Sequence, residues 1–275
     1  MEKIKALAHS LKGQKSKDEV VSILQQINDL IITEYMIELK NGVRMYPIEV
    51  ESYFYEDKVF ADPYTHGNEM QKNRFGKLYF HRFGDFKTGT FKSRNPRRGG
   101  VDICLSDDEG FYLGVLIRAA KFGLAELRIG TRRVLDQLIS GFNLGTDMEK
   151  EDKLIELEEE SCLKRAMDDP RKHAPIKLPL IELPAIAHLS RVVELNNKDY
   201  GSEKYIDYDL RSLIEFNENT YVGGQKKVVK KYFDDHASLG KEAAKRIAKE
   251  LFGLVPNWLN KYIDNEFYVI EKKQI

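Results

Sequence analysis

Between residues 46 and 57 the chain reads YPIEVESYFYED, and its strict alternation limits what this part can fold into. A period of two puts Ile48, Val50, Ser52 and Phe54 on one side and Glu49, Glu51, Tyr53 and Tyr55 on the other, which is the pattern of a β-strand. The first face is suited to a core. The second joins two carboxylates to two tyrosines. The plainer reading of that face is a solvated surface with amphipathic rings. The sharper one is a pocket wall, with a carboxylate acting beside stacking aromatics.

More strands cluster around this one. TEYMIELKNGVRMYPIEVESYF reads as a hairpin, because Asn41-Gly42 between two strand-like runs favours a tight primed turn. KLYFHRF, GGVDICLSD and FYLGVLIRAAKF read as three further strands, and TRRVLDQLISGF as a helix ended by Gly141. Residues 1–32 are helical in pattern: Ser16 and Glu19 form a capping box, and Val20, Val21, Leu24, Ile27 and Leu30/Ile31 follow at helical spacing. Residues 147–171 are charged and mostly acidic, with Leu154, Leu157 and Leu163 on one side. Pro170, Pro175, Pro179 and Pro184 then punctuate the chain. We expect 147–190 to be a peripheral or irregular insertion. QKKVVKKYF, GKEAAKRIAKELFGL and PNWLNKYI look like amphipathic helices, and EFYVIEKK like a last strand or tail. Strands gathered at 33–118 between helical regions predict an α+β fold. It comprises a curved, mostly antiparallel sheet flanked by helices, with 1–32 packed on a core formed by 33–275.

The 275 residues allow one large domain, and 44 Lys+Arg balance 44 Asp+Glu, so any nucleic-acid signal must be local. Cys104 and Cys162 are too far apart to suggest a metal motif or a disulfide framework. The N-terminal stretch lacks an apolar h-region, and no run is long enough for a bilayer. A cytoplasmic protein is expected, nucleoid-associated in a bacterial cell, with no membrane partner and no metal or other cofactor, acting as a monomer.

A local signal does exist. Residues 72–98 carry nine lysines and arginines against the single Asp85. Phe75, Tyr79, Phe80, Phe83, Phe86 and Phe91 are interleaved, and Gly84, Gly89, Gly99 and Gly100 suggest a sharply turned hairpin. Cations neutralise phosphates, and aromatics stack on bases or wedge between them. Arg82, Phe83, Phe86, Lys87, Phe91, Lys92, Arg94, Arg97 and Arg98 are therefore candidate DNA-binding residues. A solvated edge hairpin protected by its charges is the plainer alternative.

IEVESYFYEDKVFADPYTHG, NRFGKLYFHRF, GGVDICLS and GVLIRAAK, in that order within 46–121, together resemble the alkyladenine (3-methyladenine) DNA glycosylase family. That family has an E-x-E-x-Y strand, an acidic loop ending in His, an R-x-x-G-x-L-Y-x-Y strand, an Asn-bearing strand and a V-L-L-R-A strand. The resemblance implies that Glu51 is the catalytic carboxylate. It further implies a base pocket of Tyr53, His66, Tyr79, His81, Asp102 and Arg118, with duplex DNA carrying a damaged or modified base as partner. His81 stands where the family has a stacking tyrosine, and Asp102 where it has an asparagine. The hairpin at 83–100 is longer and holds no tyrosine to insert. The Gly-Pro-Arg signature is absent, with TYVGG at 220–224 in the equivalent place.

The chemistry is self-consistent. A stacked base must be flipped out to be reached, and a carboxylate can stabilise oxocarbenium character while activating water. No lysine lies within two residues of Glu51, so a Schiff-base step is not suggested. An ionised Asp102 only accepts hydrogen bonds, which implies a preference for cationic alkylpurines or a bulkier modified base over hypoxanthine. Plainer roles remain for single residues: His66 as a turn histidine, Tyr79 and Trp258 as core, Arg118 as structural or paired to Asp102, and His173 and His188 as incidental. Two other functions remain open. One is a metal-dependent nuclease using Glu49, Glu51 and Asp102. The other is a non-catalytic DNA-binding protein of the same fold.

Overall fold

The capping box at Ser16 starts the element on which the sheet is laid. Glu19 N–H donates to Ser16 Oγ at 3.2 Å and Ser16 N–H donates to Glu19 Oε2 at 2.8 Å. Helix α2 (Lys17–Glu34) runs from there, preceded by α1 (Glu2–Ser10). Val20, Leu24, Ile27, Leu30 and Ile31 are buried. The computed structural model describes the chain except residues 14, 40–41, 82–98, 107–109, 124–125, 141–146, 168, 170–176, 179–180, 183–185, 192–204, 206, 215–223, 236–237, 239, 253 and 274–275.

Strands β1 (Tyr35–Glu38) and β2 (Arg44–Glu56) form the expected hairpin, with Ile37 opposite Met45. Its turn is not the two-residue primed type. Gly42 N–H donates to Leu39 O, and Leu39 N–H to Val43 O, both at 2.9 Å, closing a three-residue loop. Gly42 sits at φ 77°, the left-handed position such a loop reserves for glycine. There follow β3 (Phe60–Ala61), a 3₁₀ turn at Glu69–Gln71, β4 (Leu78–Phe80), β5 (Val101–Cys104), β6 (Tyr112–Phe122) and β7 (Glu126–Ile129). After them come α3 (Thr131–Ser140), α4 (Asp147–Glu160), β8 (Cys162–Arg165), β9 (Lys177–Leu178), β10 (Ile181–Glu182), β11 (Ala187–Leu189) and β12 (Arg211–Leu213).

The main sheet runs β11-β12-β2-β6-β5-β4, with β1 and β3 also on β2, β7 on β6 and β8 on β1. It is curved, and every described register is antiparallel. The fold is α+β. Both faces of β2 are buried over Met45–Ser52, so the Glu49/Glu51 side is not a solvated surface. Helix α2 covers the Val50/Ser52 face. Asn28 accepts from Ser52 Oγ at 2.5 Å and donates to Leu210 O at 3.1 Å.

The acidic stretch departs from the sequence expectation. Residues 154–165 are not peripheral: Leu154, Leu157 and Leu163 are buried, and β8 pairs with β1 through four residues. Glu158 is fully buried because it serves a sheet edge. It accepts from Phe80 N–H at 2.7 Å and pairs with Arg74 at 3.4 Å, while Ser161 Oγ accepts from Leu78 N–H. Both outward amides of β4 are thereby satisfied, as an edge strand requires.

The described chain divides into two compact units, 1–172 with 188–214, and 173–187 with 215–275. The second holds the short β9–β10 pair and helices α5 (Gly224–Asp235), α6 (Lys241–Phe252) and α7 (Asn257–Lys273). Val229, Phe233, Ala244, Ile247, Leu259 and Ile263 form its core, with Trp258 packed against it. EFYVIEKK is no strand: it extends α7, since a helix already nucleated at Asn257 adds a turn at little cost and overrides weak local preference.

Asn28→Ala leaves the buried Ser52 hydroxyl without its acceptor, costing about 1–3 kcal/mol, while Leu210 O keeps the Ser52 N–H; Ser16→Ala should cost about 1 kcal/mol. Urea unfolding of the two variants should rank them in that order.

Candidate active site

Cross-strand register assembles one row of side chains on the sheet face opposite α2. Tyr79 on β4 lies opposite Asp102 on β5, Asp102 opposite Leu116 on β6, Leu116 opposite Glu51 on β2, and Glu51 opposite Arg211 on β12. Glu51 and Asp102 are two strand spacings apart, roughly 10 Å. Tyr53, Glu49, Gly114 and Arg118 share the face by alternation. Pairing along β2 and β6 shifts on both sides of Glu49, so that Ile48 and Arg118 have no opposite residue. Bulges re-aim side chains, and Arg118 turns onto the two glutamates.

Glu51 is fully buried. Its Oε1 accepts from Tyr53 Oη at 2.5 Å and its Oε2 from Arg118 Nη1 at 2.9 Å. Arg118 Nε stands 3.7 Å from Glu49 Oε1, which also accepts from Arg211 Nε at 2.5 Å. Two carboxylates and two guanidiniums thus form a tetrad without net charge. Burial alone would push the Arg118 guanidinium down, but the charges of Glu51 and Glu49 reverse this and hold it above its usual value. Burial, reinforced by the neighbouring Glu51 charge, keeps the Tyr53 hydroxyl protonated well above the ordinary tyrosine range.

The other wall is built around Asp102, which is 3 % exposed. His81 Nε2 lies 2.7 Å from its Oδ1, and Gln71 Nε2 donates to its Oδ2 at 3.3 Å. The His66 and His81 rings are 4.1 Å apart, and His66 Nδ1 is 3.5 Å from Tyr79 Oη. Two glycines make room. A Cβ on Gly100 would stand 2.8 Å from the His81 ring, and one on Gly114 would stand 2.9 Å from Gln71 Nε2 and 3.0 Å from Asp102 Oδ2.

The sequence-expected pocket residues Tyr53, His66, Tyr79, His81, Asp102 and Arg118 therefore gather on one face with Glu51, in two walls. Two expectations change. Arg118 pairs with Glu51 and Glu49, not with Asp102, because its bulge directs it to β2. Asp102 does not face a ligand as a bare acceptor, since His81 and Gln71 already donate to both its oxygens. Arg82, Phe83, Phe86, Lys87, Phe91, Lys92, Arg94, Arg97 and Arg98 lie outside the described residues.

Sequence reading missed Gln71, Arg211 and Arg191, which come from distant parts of the chain. Arg191 is 2 % exposed. It donates to Asp62 Oδ2 at 2.5 Å and to Tyr205 O at 2.5 Å, and its guanidinium stacks 5.0 Å from the Tyr53 ring and 5.5 Å from the Tyr64 ring. Burial raises the Asp62 carboxyl despite this partner. Only its position after a short strand marked Arg191, and nothing in the local pattern distinguishes it. His188, expected to be incidental, bridges Ser212 Oγ at 3.0 Å and Asp29 at 3.6 Å.

A cavity of about 660 Å³ lies elsewhere, lined by Arg44, Tyr46, Phe122, Gly123, Glu126 and Gln137. It opens near the start of β2, roughly 20 Å along the strand from Glu51 at 3.3 Å per residue, and none of the tetrad lines it. Among the described residues no group of three His, Cys, Asp or Glu is placed to hold a metal ion. No protein-family model matches the chain, and no curated protein matches it.

Arg191→Met strands the buried Asp62 and should cost about 3–5 kcal/mol, whereas Asp62→Asn combined with Arg191→Met should recover much of it. Chemical denaturation of wild type, single and double variants measures the difference.

Proposed function

We propose that the protein is a monofunctional DNA glycosylase, which flips a damaged or modified base from duplex DNA and hydrolyses its N-glycosidic bond. The observation that carries this reading is the single row from Tyr79 to Arg211, which sets a bonded carboxylate at one wall and an aromatic, imidazole-bearing wall about two strands away. A flipped nucleotide needs this pairing, with a surface to hold the base and an anion near the sugar.

In this reading the base rests against the part-buried His66 and His81, with the buried Tyr79 supporting them from behind, and C1′ faces Glu51. A carboxylate offers about four acceptor sites, of which Tyr53 and Arg118 take two. The remainder receive the proton of the attacking water. As the base departs, positive charge grows on the sugar, and the Glu51 anion stabilises it in a site where water does not screen it. Tyr53 and Arg118 fix the carboxylate so that it does not reorganise during the reaction. The basic segment 72–98 supplies cations for the phosphates, and its phenylalanines support the opened duplex.

Single-lesion duplexes incubated in EDTA should acquire abasic sites that break only in alkali. Direct strand cleavage that requires metal would instead indicate a nuclease, and binding without either outcome a DNA-binding protein. Glu51→Gln should abolish base release in single-turnover assays, by about 10²-fold or more, with DNA affinity changed only a few-fold. Glu49→Gln should be milder.

Replacing Lys92, Arg94, Arg97 and Arg98 by alanine should weaken binding and flatten its salt dependence, by up to about 0.9 in log–log slope for each phosphate no longer neutralised. Titrations at several salt concentrations check this, and an unchanged slope removes the segment's cations from the DNA-binding reading.

A further inference from the structure

No residue of the second unit, 173–187 with 215–275, stands in the row from Tyr79 to Arg211, and the glycosylase reading leaves its surface without a task. We propose that α5, α6 and α7 form a helix-turn-helix body that reads duplex DNA, with α7 in the major groove and Asn257, Lys261 and Asn265 meeting base edges. This goes beyond the glycosylase reading and does not depend on it.

The frame is the first observation. Helix α6 is followed by the four residues Gly253-Leu254-Val255-Pro256 and then by α7, the helix, short turn and helix that duplex-binding proteins use. Pro256 O accepts from the N–H groups of Leu259 and Asn260, both at 2.9 Å, so α7 starts directly from the turn. Ala244 and Ala248 lie one turn apart on α6 and are fully buried; Leu259 and Ile263 of α7 complete the same core. Lys241 and Lys245 reach Asp264 Oδ1 at 2.7 and 2.8 Å, which fixes α6 against α7. Helix α5 supports α7 through the core residues Val229 and Phe233. Its Asp234 accepts from Tyr262 Oη, and its Lys230 ammonium stands 4.6 Å from the Tyr262 ring.

The second observation is the face α7 turns away from that core. Asn257, Lys261 and Asn265 recur every four residues, opposite Leu259 and Ile263, and all three are exposed. Among the described residues none of them has a hydrogen-bond or ion-pair partner. Asparagine and lysine are side chains that recognise adenine and guanine edges in the major groove. At 1.5 Å per residue the stripe is about 12 Å long, roughly three to four steps of 3.4 Å along a DNA strand. The third observation is charge. In a chain of zero net charge, residues 224–261 hold nine lysines and arginines against four aspartates and glutamates. Arg246 and Lys249 of α6 are exposed and placed to meet phosphates. Asp264, the one carboxylate in the first nine residues of α7, is neutralised by its two lysines and does not repel the backbone. Among the described residues of this unit Leu254 is the one large hydrophobic side chain that is exposed, so the surface suits a polyanion and not a bilayer or an apolar groove.

The test uses the full chain and a pool of lesion-free duplexes with a randomised centre. Wild type should enrich a preferred sequence, and anisotropy titrations then compare that sequence with a shuffled one. Asn257→Ala, Lys261→Ala and Asn265→Ala together should weaken binding to the preferred duplex by about tenfold or more and barely change binding to the shuffled one. Arg246→Ala with Lys249→Ala should weaken both alike and lower the salt slope by up to about 0.9 for each phosphate lost. Lys261→Glu alone, an exposed single change, should act in the direction of the triple variant, and thermal melting confirms that each variant is folded. No preference in wild type, equal loss on both duplexes in the triple variant, or tighter binding of single-stranded RNA than of duplex overturns the proposal. Base release from a lesion duplex saturated with protein should be the same in wild type and triple variant. A preference that the triple variant loses, with no base released from any lesion, upholds this proposal and overturns the glycosylase reading; base release without any preference does the reverse.

Discussion

Two carboxylates cannot be buried side by side on one strand face unless cations are buried with them. Glu49 and Glu51 lie two residues apart on β2, roughly 7 Å along the strand, and both are screened from water. Desolvating either alone would cost several kcal/mol. Arg118 and Arg211 resolve this from the flanking strands β6 and β12, and the resulting tetrad is neutral. The requirement extends outward. Arg118 reaches both glutamates only because it occupies a bulge, so the irregular pairing of β2 with β6 is tied to the charge pattern. Tyr53, which completes Glu51, is in turn stacked on Arg191, whose own charge is matched by Asp62.

This dependence explains which parts of the structure were readable in the sequence. Alternation in YPIEVESYFYED gave β2 and its two faces, and Ser16 with Glu19 gave the start of α2, because each signal is local and each residue acts on its near neighbours. Arg191 and Arg211 were invisible for the opposite reason. They act on Asp62 and Glu49, more than a hundred residues earlier, and a lone arginine in or just after a short strand has no local signature. The acidic stretch misled in the same way. A run rich in glutamate reads as a solvated face, yet Glu158 is buried because β4 needs acceptors for its outward amides. Charge near a sheet edge takes its meaning from the edge, and the edge is set by strand order. The turn at Gly42 shows a smaller version: Asn41-Gly42 marked a reversal correctly, but loop length was fixed by where Leu39 and Val43 bond.

The resemblance to alkyladenine DNA glycosylases treated His81 and Asp102 as two separate departures from the family pattern. The structure joins them. A histidine at 81 is matched by a carboxylate at 102, its hydrogen-bond partner on the adjacent strand, and the ring fits because residue 100 is glycine. An asparagine at 102 would offer the imidazole no charge. The two departures therefore form one bonded pair.

Where that pair sits in the sheet also has a reason. Glu51 and Arg118 lie on β2 and β6, paired on both sides, and any shift of a side chain there disturbs a buried charge balance. Asp102 and His81 lie towards β4, at the sheet's edge, where the supporting contacts come from a 3₁₀ turn and one helix end. A buried ion network is costly to rearrange because removing one partner leaves the others uncompensated, whereas an edge pair is altered with fewer dependent groups. A fold arranged this way ties any substitution around Glu51 to a buried charge balance, whereas the β4–β5 edge carries fewer dependent groups.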